Sequence, residues 1–199
     1  MLNKHLQTVV QAGFTLVELM IAVLLLALIL TLAVPEMSKF LERNRLKAAA
    51  EEVYSQIHYA RSESIKQSIP LFMRFVANNT SSWSFGIDES TGCTPTDALG
   101  GANPCTISVA GTAVRKAVVN GANEASFTGI KMLLQDSGGT TVNPFEIQFD
   151  QVRGTATAGS VTLTSANGWV IRNVVSALGH VKLCSPAGAG SMPGYPVCP

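Results

Sequence analysis

GFTLVELMIAVLLLALILTLAVP, Gly13 to Pro35, is the stretch that decides the architecture. Its apolar part, Phe14 to Val34, is about 21 residues long. As a helix it spans roughly 30 Å, the thickness of one bilayer core. Glu18 is out of place there, a carboxylate in a run that otherwise carries no charge. A carboxylate inside a membrane helix is costly and calls for a partner. That partner has to come from another chain or from the chain's own terminus. A cut between Gly13 and Phe14 would create an α-amino group one helical turn from Glu18. The helix dipole at that end also favours negative charge.

Ahead of the run lies a polar leader, MLNKHLQTVVQAG, with Lys4 and His5. Positive charge on that side predicts a cytoplasmic N-terminus, with everything after Val34 outside the inner membrane. A cleavable secretory signal is the competing reading. It requires a shorter apolar core and an A-x-A-like site, whereas this run is long and ends in LAVPEM. Pro35 removes one helical hydrogen bond and crowds the carbonyl of Thr31, so a kink or local melting is expected there. The Thr31 hydroxyl is available to the freed group.

The whole of Gly13–Pro35 resembles the class III signal of type IV pilins and type II secretion pseudopilins. That resemblance implies that a prepilin peptidase cuts after Gly13 and methylates the new terminal residue, Phe14. It also implies that Glu18 neutralises the terminal amine of a neighbouring subunit in a filament, and that Pro35 is the family's helix-kinking proline.

Residues 36–67 contain no Gly or Pro, and helix formers dominate. Val53, Ile57, Ala60 and Ser64 recur at i, i+4, i+7 and i+11, with Tyr54 and Ile65 beside them. The helix therefore continues past Pro35 to Gln67, and Ser68 and Pro70 mark its end. Glu42, three residues before Arg45, is placed to form a surface ion pair of little energetic weight. His58 is read as a helix-surface residue, not a ligand.

From Leu71 the period changes. LFMRFV, WSFGID, TISV, IKMLL, FEIQF, SVTLT, WVIRNVV and HVKLC are short and rich in strand formers. Turn signals separate them, among them Asn78–Asn79, Gly100–Gly101, Asn120–Gly121, Gly138–Gly139 and Asn167–Gly168. The expected fold class is α+β and pilin-like: a long N-terminal helix packed on a C-terminal antiparallel β domain. The expected organisation is a cytoplasmic leader (1–13), a transmembrane helix (14–34), its periplasmic continuation (35–69) and a periplasmic β domain (70–199).

The 4 cysteines lack the CxxC spacing of a zinc site. Two disulfides in an oxidising compartment fit better. Of the three connectivities, closeness along the chain favours Cys93–Cys105 and Cys184–Cys198. The first would clip the Gly/Pro-rich excursion STGCTPTDALGGANPC, and the second would staple the tail CSPAGAGSMPGYPVCP to the last strand.

Within the pilin superfamily, IHYARSESIKQ in the helix and VVSALGHVKLC near the end are similar to segments of the GspH/FimT/FimU branch. The implied role is structural, a minor pilin or pseudopilin that joins other pilins in filament assembly or priming. The branch also includes members implicated in binding double-stranded DNA during uptake, through a G-R-x-R motif on the last strand. Here that motif reads Gly179-His180-Val181-Lys182, so both arginines are replaced. His180 and Lys182 would share one strand face. Arg172 and Arg153 are candidate additions, and no acid follows Asp150. Lysine lacks the planar fork of arginine, and His180 is mostly neutral at pH 7. A net charge of +1 excludes a chain coated in basic surface. No G-x-S-x-G, P-loop or H-E-x-x-H motif is present, and the three histidines lie in different elements. An enzyme is not expected, nor a cofactor or metal.

Overall fold

In the computed structural model, which describes residues 13–77, 79–120 and 127–198 (backbone only at 32 and 35), one long helix precedes ten strands. The leader with Lys4 and His5 lies outside the described residues, as do Asn78 and Gly121 of two turn signals. The chain divides into two compact units, Met1–Phe40 and Leu41–Pro199.

The first unit is helical from Leu16, the start of α1 (Leu16–Gln67). Its backbone stays α-helical through position 35, so the proline does not end the helix. The Thr31 hydroxyl donates to the Leu28 carbonyl at 2.8 Å, one turn back, and not to the carbonyl freed by Pro35. The large apolar side chains described from Leu16 to Leu30 are each at least 50% exposed. This segment is long and apolar enough to cross a membrane, and none of it is buried.

The second unit closes its own core. Leu46, Ala49, Ala50, Val53, Ile57, Ala60 and Ser64 are fully buried along one stripe of α1. Burial of the Leu46, Val53 and Ile57 side chains contributes about 1.5–3 kcal/mol each. Ile65, beside the stripe, is half exposed. The helix ends in a Schellman motif: the Ser68 amide donates to Ile65 O and the Ile69 amide to Ser64 O. Ser68 takes the left-handed conformation there, with φ 57°.

Two four-stranded antiparallel sheets follow. One has the order β5-β2-β1-β7, built from β1 (Leu71–Ala77), β2 (Trp83–Asp88), β5 (Ala117–Asn120) and β7 (Phe145–Phe149). The other has the order β10-β9-β8-β6, built from β6 (Lys131–Asp136), β8 (Gly159–Thr164), β9 (Val170–Val175) and β10 (Val181–Cys184). A hairpin of β3 (Thr106–Val109) and β4 (Thr112–Arg115) completes the set. The sheets meet at a corner where Asn79 N donates to Met132 O and Met132 N to Thr80 O. The helix touches both: Ser64 Oγ donates to Phe149 O of β7, and Asn173 Nδ2 of β9 to Ala50 O. Met73, Phe75, Ile147, Phe149, Met132, Leu134, Val161, Leu163 and Ile171 join the helix stripe in one hydrophobic core.

Alternation is clear on β1, where Leu71, Met73, Phe75 and Ala77 face inward. On β2 every residue is buried, because the loop between Cys93 and Cys105 covers its outer side. Those two cysteines are bonded, as are Cys184 and Cys198. Gly86 allows the loop to lie flat, since a Cβ there would stand 2.5 Å from Cys105 Sγ. Asp88, buried on β2, accepts from Ser90 N, Ser90 Oγ and Thr106 N and so pins both ends of the excursion. At the other terminus, the tail returns along the sheet: Ser185 Oγ donates to Val170 O and accepts from Met192 N.

Candidate functional site

Gly13, Phe14 and Thr15 precede α1 in non-helical backbone, and Phe14 is 82% exposed. The amide of Glu18 donates to Thr15 Oγ1 at 3.2 Å, and Leu19 N to Thr15 O at 3.2 Å. Thr15 is therefore the N-cap of α1 and Glu18 its third helical residue, the T-x-x-E order of a capping box. In the sequence only the spacing of Thr15 to Glu18 signals this cap, since Thr15 sits at the edge of an apolar run. The cap fixes the helix start, so the Gly13–Phe14 peptide lies just outside regular structure. The Glu18 side chain is exposed and makes no ion pair among the described residues.

The cationic candidates lie at the last strands. On β10, Lys182 is exposed whereas Val181 and Leu183 pack against the core, and His180 is exposed at the strand's start. Lys182 pairs with Val174 and Cys184 with Arg172, so Lys182 and Arg172 are diagonal neighbours on one face. Arg172 is half-buried. Its Nε donates to Thr162 Oγ1 at 3.0 Å, and it lines an open depression of about 340 Å³ with Gln135, Ser160 and Cys198. Arg153 comes from a different segment, the exposed turn after β7. The structure thus spreads the four cations over β9, β10 and the turn after β7 and does not gather them into one cradle.

Arg61, from α1, bridges the segments that carry Arg153 and His180. Its Nε donates to Gly154 O at 3.0 Å, and its Nη2 to Leu178 O at 3.4 Å. Gly179 fits against Gly154, where a Cβ would stand 2.1 Å from the Gly154 carbonyl oxygen. The helix segment IHYARSESIKQ and the closing segment VVSALGHVKLC therefore meet at one junction. The Gly of the Gly179-His180-Val181-Lys182 motif has a packing reason, independent of any ligand.

Two further helix residues behave differently from their sequence reading. Glu42 does not pair with Arg45. It accepts from the Asn167 amide at 2.6 Å and from Asn167 Nδ2, clamping the β8–β9 turn to α1. Beside it Arg43 stacks over Trp169, 5.0 Å from the ring centroid. His58 is half buried rather than on the surface, edge-on to Tyr54. Burial and the Arg61 charge hold its pKa below the ordinary value. Among the described residues no group of three or more His, Cys, Asp or Glu side chains is placed to hold a metal ion.

Comparison with known proteins yields two family matches. Residues 49–179 match the type II transport protein GspH family, and residues 10–34 match the prokaryotic N-terminal methylation motif. No curated protein matches significantly. Among solved structures, the type IV minor pilin FimU of Pseudomonas aeruginosa (strain PAO1) aligns over 75% of this chain and 98% of its own, at 18% identity and a TM-score of 0.42.

Proposed function

This chain belongs to the GspH family and carries an N-terminal methylation motif, and from that premise we propose that it is a membrane-inserted minor subunit of a pilus or pseudopilus, working in filament assembly or priming. The observation that carries the reading is the capped, apolar first part of α1, exposed from Leu16 to Leu30, with Glu18 one turn from Gly13–Phe14 and in no ion pair among the described residues. Such a helix is stable only when lipid or similar helices surround it. The carboxylate then requires a cation, and the terminal amine released by cleavage of a neighbouring chain supplies one. In this reading prepilin peptidase cuts after Gly13 on the cytoplasmic side and methylates Phe14. The helix crosses the inner membrane, and the β domain stands in the periplasm, where its disulfides form.

The test is the pair Gly13→Ala and Glu18→Ala, followed by immunoblot and recovery with sheared filaments. Gly13→Ala is expected to leave the chain at full length. Glu18→Ala is expected to be cut normally yet to fall at least tenfold in the filament fraction. A shortened Gly13→Ala chain, or normal recovery of Glu18→Ala, would sink the assignment.

DNA uptake is the second reading. It is favoured by one observation, the shared outward face of Lys182 and Arg172 with His180 at its end. Two to four phosphate contacts would give weak, salt-sensitive binding. The full chain in detergent, titrated with double-stranded DNA at several salt concentrations, separates the readings. The filament reading expects no difference between wild type and a His180→Ala, Lys182→Ala chain; binding lost in that variant would shift the function to DNA uptake.

A further inference from the structure

The junction at Arg61 leaves three apolar side chains in solvent around one point. Val152 is 82% exposed, Leu178 66% and Ile65 48%, each on a different segment. All three are tied to Gly154. Val152 is two residues away, within about 7 Å along the backbone. Leu178 precedes Gly179, which abuts the Gly154 carbonyl, and a Cβ on Gly154 would stand 3.1 Å from Ile65 Cδ1.

Hydrogen bonds brace the two turns. Gly154 N donates to Asp150 O, while Asp150 Oδ1 accepts from Val152 N and Arg153 N. Gly179 N donates to Ser176 O, Ser176 N to His180 O, and Ala156 N to Ala177 O. Apolar tips on tight turns lose little freedom when they bind, which is what an anchor residue requires. The charge around them is mixed but leans positive. Arg61, Arg153 and, further along β10, Lys182 are cations. The carboxylates on these segments are engaged: Asp150 within its own turn, and Glu63 buried with Lys66 and Gln67.

We propose that Ile65, Val152 and Leu178, rimmed by Arg61 and Arg153, form a docking surface for a neighbouring filament subunit that presents an apolar side chain among carboxylates. Apolar anchors ringed by complementary charge concentrate binding energy and fix orientation. The inference rests on the filament reading above and names the chemistry of one neighbour.

The test places the photo-crosslinking residue p-benzoylphenylalanine at position 152 or 178 of the full-length chain in its own cells. The same residue at Leu99, exposed on the disulfide loop, is the control. Recovery of the unmodified chain with sheared filaments is measured alongside. Its absence there would count against the filament reading, whatever the cross-links do. The expected result is adducts from both positions to a different filament subunit, mapped by mass spectrometry to a segment with carboxylates beside an apolar residue. A Val152→Ser, Arg153→Glu chain cross-linking from position 178 should give at least about tenfold less adduct with an unchanged melting temperature, and charge reversal on the mapped partner segment should restore it. The proposal is overturned if the chain reaches filaments but positions 152 and 178 cross-link no better than 99. Adducts to a second copy of this chain, to phospholipid or to DNA overturn it as well.

Discussion

At Gly179 a side chain has nowhere to go. The residue sits at φ +74° with the Gly154 carbonyl oxygen and Arg61 Nε in the space a Cβ would occupy. Gly100 has a similar φ of +88° but open surroundings. Gly100→Ala is therefore expected to cost only the left-handed strain, about 1–2 kcal/mol. Gly179→Ala adds a backbone clash and should cost more than about 3 kcal/mol, read as a lower melting temperature and lost protection of the β9–β10 hairpin in hydrogen exchange. Glu42 makes a pH prediction. Burial pushes its carboxyl up, but hydrogen bonds from the Asn167 amide, Ser165, the Asn167 side chain and the Ala166 amide outweigh that and leave its pKa below the ordinary 4.5. A folded-state pKa below the unfolded one stabilises at higher pH. That contribution is present above about pH 4.5 and fades as pH falls through the lowered folded value. Glu42→Gln should flatten the acid limb of the unfolding profile, and an unchanged limb would show that the clamp contributes nothing.

At the scale of elements, the two disulfides do different jobs. Cys93–Cys105 holds a loop against the outer side of β2, where Asp88 is buried beneath it. Cys184–Cys198 holds the tail that supplies hydrogen bonds to β9. On the chain-entropy model each closes a loop contributing about 3 kcal/mol. Cys93→Ser with Cys105→Ser should also expose Asp88 and Gly86, so its denaturant midpoint should drop further than that of the paired tail variant. Strand placement was legible where the residues alternate or cluster as strand formers. WSFGID, TISV and FEIQF coincide with β2, β3 and β7. β4 and β5 escaped, because TAVRKAVVN carries Arg115 and Lys116 between an apolar pair and an apolar triplet and offers no period. The all-buried β2 likewise could not be told from sequence, since what covers it is a loop whose path is set by Gly86 and a distant cysteine.

On the scale of the molecule, the helix was readable end to end. An apolar run whose one charge is Glu18 and a glycine-free amphipathic run are local signals. The candidate cations were readable only as a set of residues. The segments of Arg153 and His180 are joined by the Ala156–Ala177 backbone bond and bridged by Arg61, from a segment roughly 90 positions earlier, and no local pattern carries that. The division at Phe40 has a consequence of its own. The second unit buries its helix stripe without help from the first, so a chain lacking residues 1–40 is expected to remain folded and elute as a monomer without detergent. The full chain, with its apolar helix uncovered, is expected to require detergent. Aggregation of the shortened chain would show that the core extends past that boundary.

The meeting of Arg61 with Gly154 and Gly179 bears on how such proteins can be recombined. The helix signature and the closing-strand signature read as separate words, yet they are two sides of one contact. A chimera joining this helix to the β domain of a relative would inherit half of it. If the incoming domain brings a side chain at the Gly179 position, an intact Arg61 becomes an obstacle, and the graft should recover only when both segments travel together.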